Sequence, residues 1–231
     1  MPSTQPSPAA VWQKNYVSYR RLWLDFYLEQ FRPEMRGVVF DLGGKRENKR
    51  GSFQPPEAQA TQWWYLNLEL STRPDIFGDV TQLPLPAASA DVVLCTEVLE
   101  HLRHPAACVA EIERLLKPGG TALVSVPFIY PIHADPYDFQ RFTADGLRQL
   151  FGAFARLEIL PMGAFWGTLG MFLEIGLPGL TGQGLQHKLT RRSLGWLSRR
   201  LCALDLARWP ETQPLWQKFP TGYFLKAVKA G

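Results

Sequence analysis

An α/β domain with a mostly parallel sheet is predicted by three features of the sequence. Short apolar runs read as buried strands, amphipathic stretches between them read as helices, and glycine- or proline-containing turns stand where the two meet. The 231 residues, 46% of them hydrophobic, suffice for a full core and fit one domain with additions better than two. Ligands of such sheets sit outside the carboxyl ends of the strands, so the turns that follow the strands are where chemistry is expected.

Met1 to Ala10 is rich in Pro, Ser and Gln and lacks the basic start and apolar core of a signal peptide, so residues 1–11 are expected to form a disordered leader before a single domain over 12–231. Apolar and aromatic side chains then recur every three or four residues (Tyr16, Tyr19, Leu22, Trp23, Phe26, Tyr27, Phe31), which predicts an N-terminal helix within 12–35 that Pro33 ends. Val38-Val39-Phe40 enters Asp41-Leu42-Gly43-Gly44 as a buried strand and tight turn. Trp63 to Leu70 and Ala90 to Cys95 are further strands, Pro105 opens a helix, and Pro118-Gly119-Gly120 stops it. Thr121 to Val126 is the next strand, a long loop runs to Phe142, a helix spans Thr143 to about Phe151, and a strand lies near Phe154 to Leu160. The sheet core, where a ligand is expected to bind, is thus 36–160, with 161–218 a helical insertion or lid and 219–231 a final strand, Tyr223 to Val228, read as a sheet edge.

Cys95, Cys108 and Cys202 are too far apart for a disulfide framework or a zinc motif, and no cluster has metal-ligand spacing, so no metal is expected. The longest uncharged apolar stretch, Gly163 to Leu173, is about half of the roughly 20 residues a bilayer span needs. A cytoplasmic location is predicted. The net charge of +4 is concentrated in Lys45, Arg46, Lys49 and Arg50 and in Lys188, Arg191, Arg192, Arg199 and Arg200, either solvated surface or contact points.

A glycine pair after a strand is also what any sharp turn requires. Glu69 at a strand end suits both hydroxyls of a ribose, and is as readily a solvated carboxylate. Taken in order, however, Asp41-Leu42-Gly43-Gly44, Glu69, Gly78-Asp79, Glu97-Val98-Leu99-Glu100-His101 and Leu116-Lys117-Pro118-Gly119-Gly120 resemble the class I S-adenosylmethionine-dependent methyltransferases, of the type 11 kind, over roughly residues 36–160. The resemblance implies a doubly wound seven-stranded Rossmann-like sheet with the last strand antiparallel. It implies S-adenosylmethionine as cofactor, with Asp41, Gly43 and Gly44 at its methionine part, Glu69 at the ribose, Asp79 and Val80 at the adenine edge, and Cys95, Thr96 and Glu97 along its inner face. Leu116 to Gly120 is expected to be a helix stop and turn, and His101 to cap or pack. Where many relatives carry a third glycine, this chain has Lys45-Arg46-Glu47-Asn48-Lys49-Arg50-Gly51, a long charged loop. A dinucleotide fold is disfavoured, since Gly-x-Gly-x-x-Gly at a helix start is absent.

The acceptor is expected to meet the proline-interrupted segment Phe128 to Arg141, through Tyr130, Tyr137, Asp138 and Arg141. His133 is the candidate catalytic base, oriented by Asp135; contact with the substrate and bracing of the loop are the other readings. The segment resembles a branch associated with glycan and polysaccharide genes, which implies a small-molecule or glycan-linked acceptor. A nucleic-acid acceptor is disfavoured, because basic residues alternate with acidic ones and no Asn/Asp-Pro-Pro-aromatic motif is present. A binding module without turnover is one alternative. Another is an enzyme of lipid-linked substrates at the inner membrane surface, held by Leu189, Leu194, Trp196, Leu197, Leu201, Leu204 and nearby basic residues.

Overall fold

The computed structural model describes residues 18–47, 51–133, 136–176, 185–208 and 214–231. The leader, Tyr16, Lys49 and Arg50 lie outside them, as does Asp135. Seven strands form one sheet: β1 (Gly37–Leu42), β2 (Ala60–Asn67), β3 (Ile76–Phe77), β4 (Ala90–Thr96), β5 (Leu116–Pro127), β6 (Arg156–Met162) and β7 (Gly222–Val228). Their order is β3-β2-β1-β4-β5-β7-β6, with β7 antiparallel to both its neighbours and the other pairs parallel. The helices are α1 (Tyr19–Phe31), α2 (Pro105–Leu115), α3 (Ala144–Leu150), α4 (Phe165–Gly176) and α5 (Leu185–Arg208).

Strand alternation divides the core. Phe40, Val93, Cys95 and Val124 face one side, with Ile112 of α2 and Leu147 of α3, while Val39, Val92, Leu94 and Leu123 face the other, with α1, α4 and α5. On α1 the predicted stripe is buried at Tyr19, Leu22, Trp23, Tyr27 and Phe31, and the rings of Tyr27 and Phe31 stack on Phe224 of β7 at 5.3 and 5.5 Å between centroids. Burying each such side chain is worth about 1.5–3 kcal/mol, enough to outweigh about 1–2 kcal/mol of backbone ordering per residue. The helix starts at Ser18, whose Oγ accepts the Arg21 amide at 3.3 Å.

Three sequence expectations change, and one strand goes unread. The second strand ends at Asn67, so Glu69 begins a short turn rather than ending the strand. The last strand is no edge: β7 is paired on both sides, and its Phe224, Leu225 and Ala227 are buried. Periodicity marks a strand but not its neighbours, and only the crossover decides that the chain returns between β5 and β6. The helix before β5 ends at Leu115, and Lys117 to Gly120 form a bulge inside β5, between the pairs Ala90–Leu116 and Val92–Thr121, with Gly119 at φ +74°. The two-residue strand β3 is too short to leave a pattern.

Beyond β6, α4 crosses α5 closely: a Cβ on Gly170 would lie 2.7 Å from the Ser198 carbonyl oxygen. Both are anchored to α1 by the buried Asp205, which accepts bonds from Tyr19 Oη at 3.1 Å and the Gly167 amide at 2.6 Å. Among the described residues no helix is long and apolar enough to cross a membrane.

Candidate active site

The chain reverses its winding direction between β1 and β4, and a cleft of about 1000 Å³ opens at the carboxyl ends of these strands. One end is shaped by backbone. Gly43 adopts φ +77°, and a Cβ there would lie 2.5 Å from Val98 Cγ2; one on Gly44 would lie 2.3–2.6 Å from the Asp41 carboxyl group. The turn is tied to β2 by the Gly43 amide, which donates to the Leu66 carbonyl at 2.8 Å, and by Asn67 Nδ2, which donates to the carbonyls of Gly43 and Gly44 at 3.1 Å. Leaving both positions without side chains lets a ligand reach the backbone.

Glu69 opens a turn over the same end. Its exposed carboxylate accepts from Ser71 Oγ and lies 3.5 Å from Lys45 Nζ; the Ser71 bond, then the Lys45 charge, holds its pKa below the ordinary value. The described start of the charged loop, Lys45 to Glu47, is thereby folded against this turn. Arg46 grips Asp75 at 2.6 and 2.7 Å, and Arg73 lies 3.5 Å from Glu47. Its far end is held to α1, where the buried Asp25 accepts from the Ser52 amide at 2.6 Å and faces Arg21 Nε at 3.0 Å.

The other end is shaped by side chains from three elements. After β4, Glu97 sits at φ +59°, a sparsely populated region for a residue with a side chain. Its carboxylate accepts from Ser125 Oγ at 2.8 Å and contacts Arg20 of α1, whose guanidinium stacks 4.1 Å above the Tyr130 ring. Next to it, Glu100, His101 and His133 converge. Nε2 of each histidine lies 3.7 Å from Glu100 Oε1, and the ligand atoms of the three all lie within 4.8 Å of one another. Glu100 is fully buried, and neither of its carboxylate oxygens has a hydrogen-bond partner among the described residues.

The residues singled out from sequence divide accordingly. Asp41, Gly43, Gly44, Glu69, Thr96, Glu97, Tyr130 and His133 all line the cleft. Cys95 does not; it points into the core, where a hydrogen bond with Cys108, then burial, pushes its thiol up. Asp79 and Val80 do not line it either: Asp79 accepts from Thr81 Oγ1 at 2.7 Å in its own turn, and Val80 is buried. Tyr137 is 56% exposed and packs on Phe139, while its carbonyl accepts His101 Nδ1 at 2.5 Å. Asp138 and Arg141 pair with each other beneath the loop, and Asp138 also accepts the His133 amide at 2.9 Å. The Arg141 guanidinium holds the Asp138 carboxyl well below the usual carboxylate range.

Arg20, Asn67 and Glu100 escaped sequence reading. Asn67 reads as an ordinary residue inside the strand Trp63 to Leu70, Arg20 is masked by the apolar stripe of its helix, and Glu100 gains its role only from His133, a strand and a loop further on.

Known proteins resemble the chain in sequence and in fold. Residues 65–124 match the family model of a methyltransferase domain. A probable S-adenosylmethionine-dependent methyltransferase of Mycolicibacterium smegmatis is 52% identical over 50 residues, 22% of this chain and 20% of that protein. Another, of Mycobacterium tuberculosis, is 32% identical over 96 residues, 39% of this chain and 35% of that protein. The chain thus spans about a third or less of the curated relatives it matches. A solved SAM-dependent methyltransferase from Archaeoglobus fulgidus superposes with a TM-score of 0.55 at 13% identity, over 90% of this chain and 94% of that one. The chain has the class I methyltransferase fold. Within this fold, the matched segment runs from Tyr65 into β5 and contributes Glu69, Thr96, Glu97 and His101 to the cleft lining.

Proposed function

We propose that the protein transfers the methyl group of S-adenosylmethionine to a hydroxyl of a small-molecule or glycan-linked acceptor, as in O-methylation during polysaccharide synthesis. The observation that carries this reading is the joint placement of Asp41, Gly43, Gly44 and Glu69 around one end of a cleft whose other end holds Glu97, His101, Tyr130 and His133. The residues fit the cofactor. Asp41 is positioned for an ammonium group, the bare glycine turn for close approach, and Glu69 for ribose hydroxyls. When bound, S-adenosylmethionine supplies an activated methyl on a sulfonium. Because Asp79 and Val80 lie outside the lining, the adenine end is assigned to the turn of Ser71, Thr72 and Arg73, which does line it.

Transfer to a hydroxyl needs alignment and loss of its proton. His133 is the catalytic residue in this reading, with Asp138, whose Oδ2 lies 3.3 Å from Nδ1, in the orienting place expected of Asp135. His133→Ala is expected to lower turnover about 10²–10⁴-fold, with cofactor affinity kept; unchanged turnover would remove it from the chemistry. Calorimetry with S-adenosylmethionine and S-adenosylhomocysteine tests the whole reading, and binding of neither would sink it. Cofactor binding without turnover on lipid-linked and nucleotide-linked sugars, screened with a labelled methyl donor, would favour a binding module.

A second reading places the enzyme on a membrane surface from the cytoplasmic side. It is favoured by exposed Leu189, Trp196, Leu197 and Leu204 on α5 and Phe172 and Ile175 on α4, with Arg200 5.1 Å above the Trp196 ring. Sedimentation with anionic and neutral vesicles separates the cases, since equal recovery in both supernatants would exclude this surface.

A further inference from the structure

We propose that Glu100, His101 and His133 form a divalent-cation site at the acceptor end of the cleft, suited to zinc or a first-row transition metal. The hydrogen bonds around the two rings carry the argument. His101 Nδ1 faces the Tyr137 carbonyl at 2.5 Å, and His133 Nδ1 faces Asp138 Oδ2 at 3.3 Å and the Pro131 carbonyl at 3.4 Å. All three partners can only accept, so Nδ1 of each ring carries the proton. In the neutral rings each Nε2 then presents a lone pair, and both point at the same carboxylate oxygen from 3.7 Å. With both rings neutral, two lone pairs and a carboxylate oxygen face one another at 3.7 Å, too long for a hydrogen bond, and none of the three satisfies another.

The arrangement becomes favourable when a cation occupies the space between them. A tetrahedral ion with bonds of about 2.0–2.2 Å holds its ligand atoms roughly 3.3–3.6 Å apart, so the two 3.7 Å separations nearly match, and the three atoms, all within 4.8 Å of one another, close on an ion by inward rotation of the imidazoles. Glu100 supplies the independent sign of a ligand: it is fully buried, it faces the cleft's histidines, and both its oxygens lack a hydrogen-bond partner among the described residues. Each histidine already donates its other N–H to a carbonyl or carboxylate, the usual support of a metal-binding imidazole. Two imidazoles and one carboxylate select zinc, manganese, cobalt or iron(II) over magnesium and calcium, which prefer all-oxygen shells.

The catalytic use of this site rests on the methyl transfer proposed above, in which it casts His133 as a ligand rather than as the proton acceptor. A cation there lowers the pKa of an acceptor hydroxyl bound to it. The proton leaves to water in the open cleft, an oxygen lone pair forms the new C–O bond, and the electrons of the broken C–S bond remain on sulfur.

The test uses the full chain stripped by chelator and titrated in a calorimeter with zinc, manganese, cobalt or magnesium chloride. One equivalent of zinc, manganese or cobalt is expected to bind more tightly than magnesium, and the cobalt form to show visible absorption of a nitrogen- and oxygen-ligated ion. Glu100→Gln and His101→Ala should each weaken binding by more than roughly 100-fold, beyond the 10–100-fold typical of losing a supporting group. Circular dichroism confirms that each variant is folded, and His133→Ala serves if either is not. No stoichiometric binding to the wild-type chain, binding of magnesium alone, or unchanged affinity in the folded variants would overturn the site. S-adenosylhomocysteine binding is measured on the same samples: binding of that ligand without metal removes only this site, and metal without it removes only the methyl-transfer reading.

Discussion

At the Asp41–Gly44 end of the cleft the backbone makes the surface, whereas at the Glu100–His133 end side chains from α1, the turn after β4 and the loop after β5 make it. The first end depends on local conformation, a positive φ and two missing side chains, held by Asn67 from the neighbouring strand. The second depends on buried charges brought together from distant positions and balanced against one another. A backbone cradle suits a cofactor whose shape never changes, and a side-chain cluster is the part that substitution can retune for a different acceptor. Damage should therefore take different forms at the two ends.

The largest effect is expected from Gly43→Val. A side chain in the left-handed region costs about 1–2 kcal/mol and overpacking against Val98 about 1–3 kcal/mol more. The loss should appear in S-adenosylhomocysteine affinity and melting temperature together. Intact affinity by calorimetry would show that the turn is no rigid cradle.

Asp138→Asn should instead spare the cofactor and weaken the fold. Its carboxylate is only 1% exposed but Arg141 is 22% exposed, so the buried-pair penalty is reduced to about 2–3 kcal/mol. Arg141 depresses the Asp138 pKa, so this stabilisation is complete above the ordinary carboxylate value of about 3.9 and is lost as pH falls through the lower folded value. The stability gap between wild type and variant should be constant from neutral pH to about 5 and shrink only below about 4; thermal denaturation across pH checks both claims.

Glu69→Gln is predicted to weaken cofactor affinity roughly tenfold, through weaker bonds to ribose, with no change in melting temperature. An equal loss of affinity for S-adenosylmethionine and for methionine or adenine, which lack ribose, would place Glu69 elsewhere. Smallest of all, Arg46→Ala breaks a partly exposed pair with Asp75 and should cost about 0.2–1 kcal/mol, less in high salt. A larger loss of cofactor affinity in calorimetry would mean that the charged loop itself grips the cofactor.

The contrast between the two ends also explains what could be read in advance. Asp41, Gly43, Gly44, Glu69, Thr96 and Glu97 were legible through the resemblance their motifs carry in order, since each turn alone is ambiguous, and all line the cleft. Asp138 and Arg141 had the composition of a substrate site, yet they neutralise each other under the loop, a pairing visible only in space. His101 read as a residue that caps or packs, since nothing near it in sequence reveals that Tyr137 and His133 close around it.

By itself the sequence determined the alternation of strands and helices, the buried stripe of α1 and the glycine turn, because hydrophobic period and backbone freedom act over a few residues. The tertiary structure alone decided that β7 lies inside the sheet, that Asn67 secures the turn, and that Glu100, His101 and His133 meet. These depend on crossovers and long-range packing, and a buried carboxylate acquires its chemistry from the groups that the fold places around it.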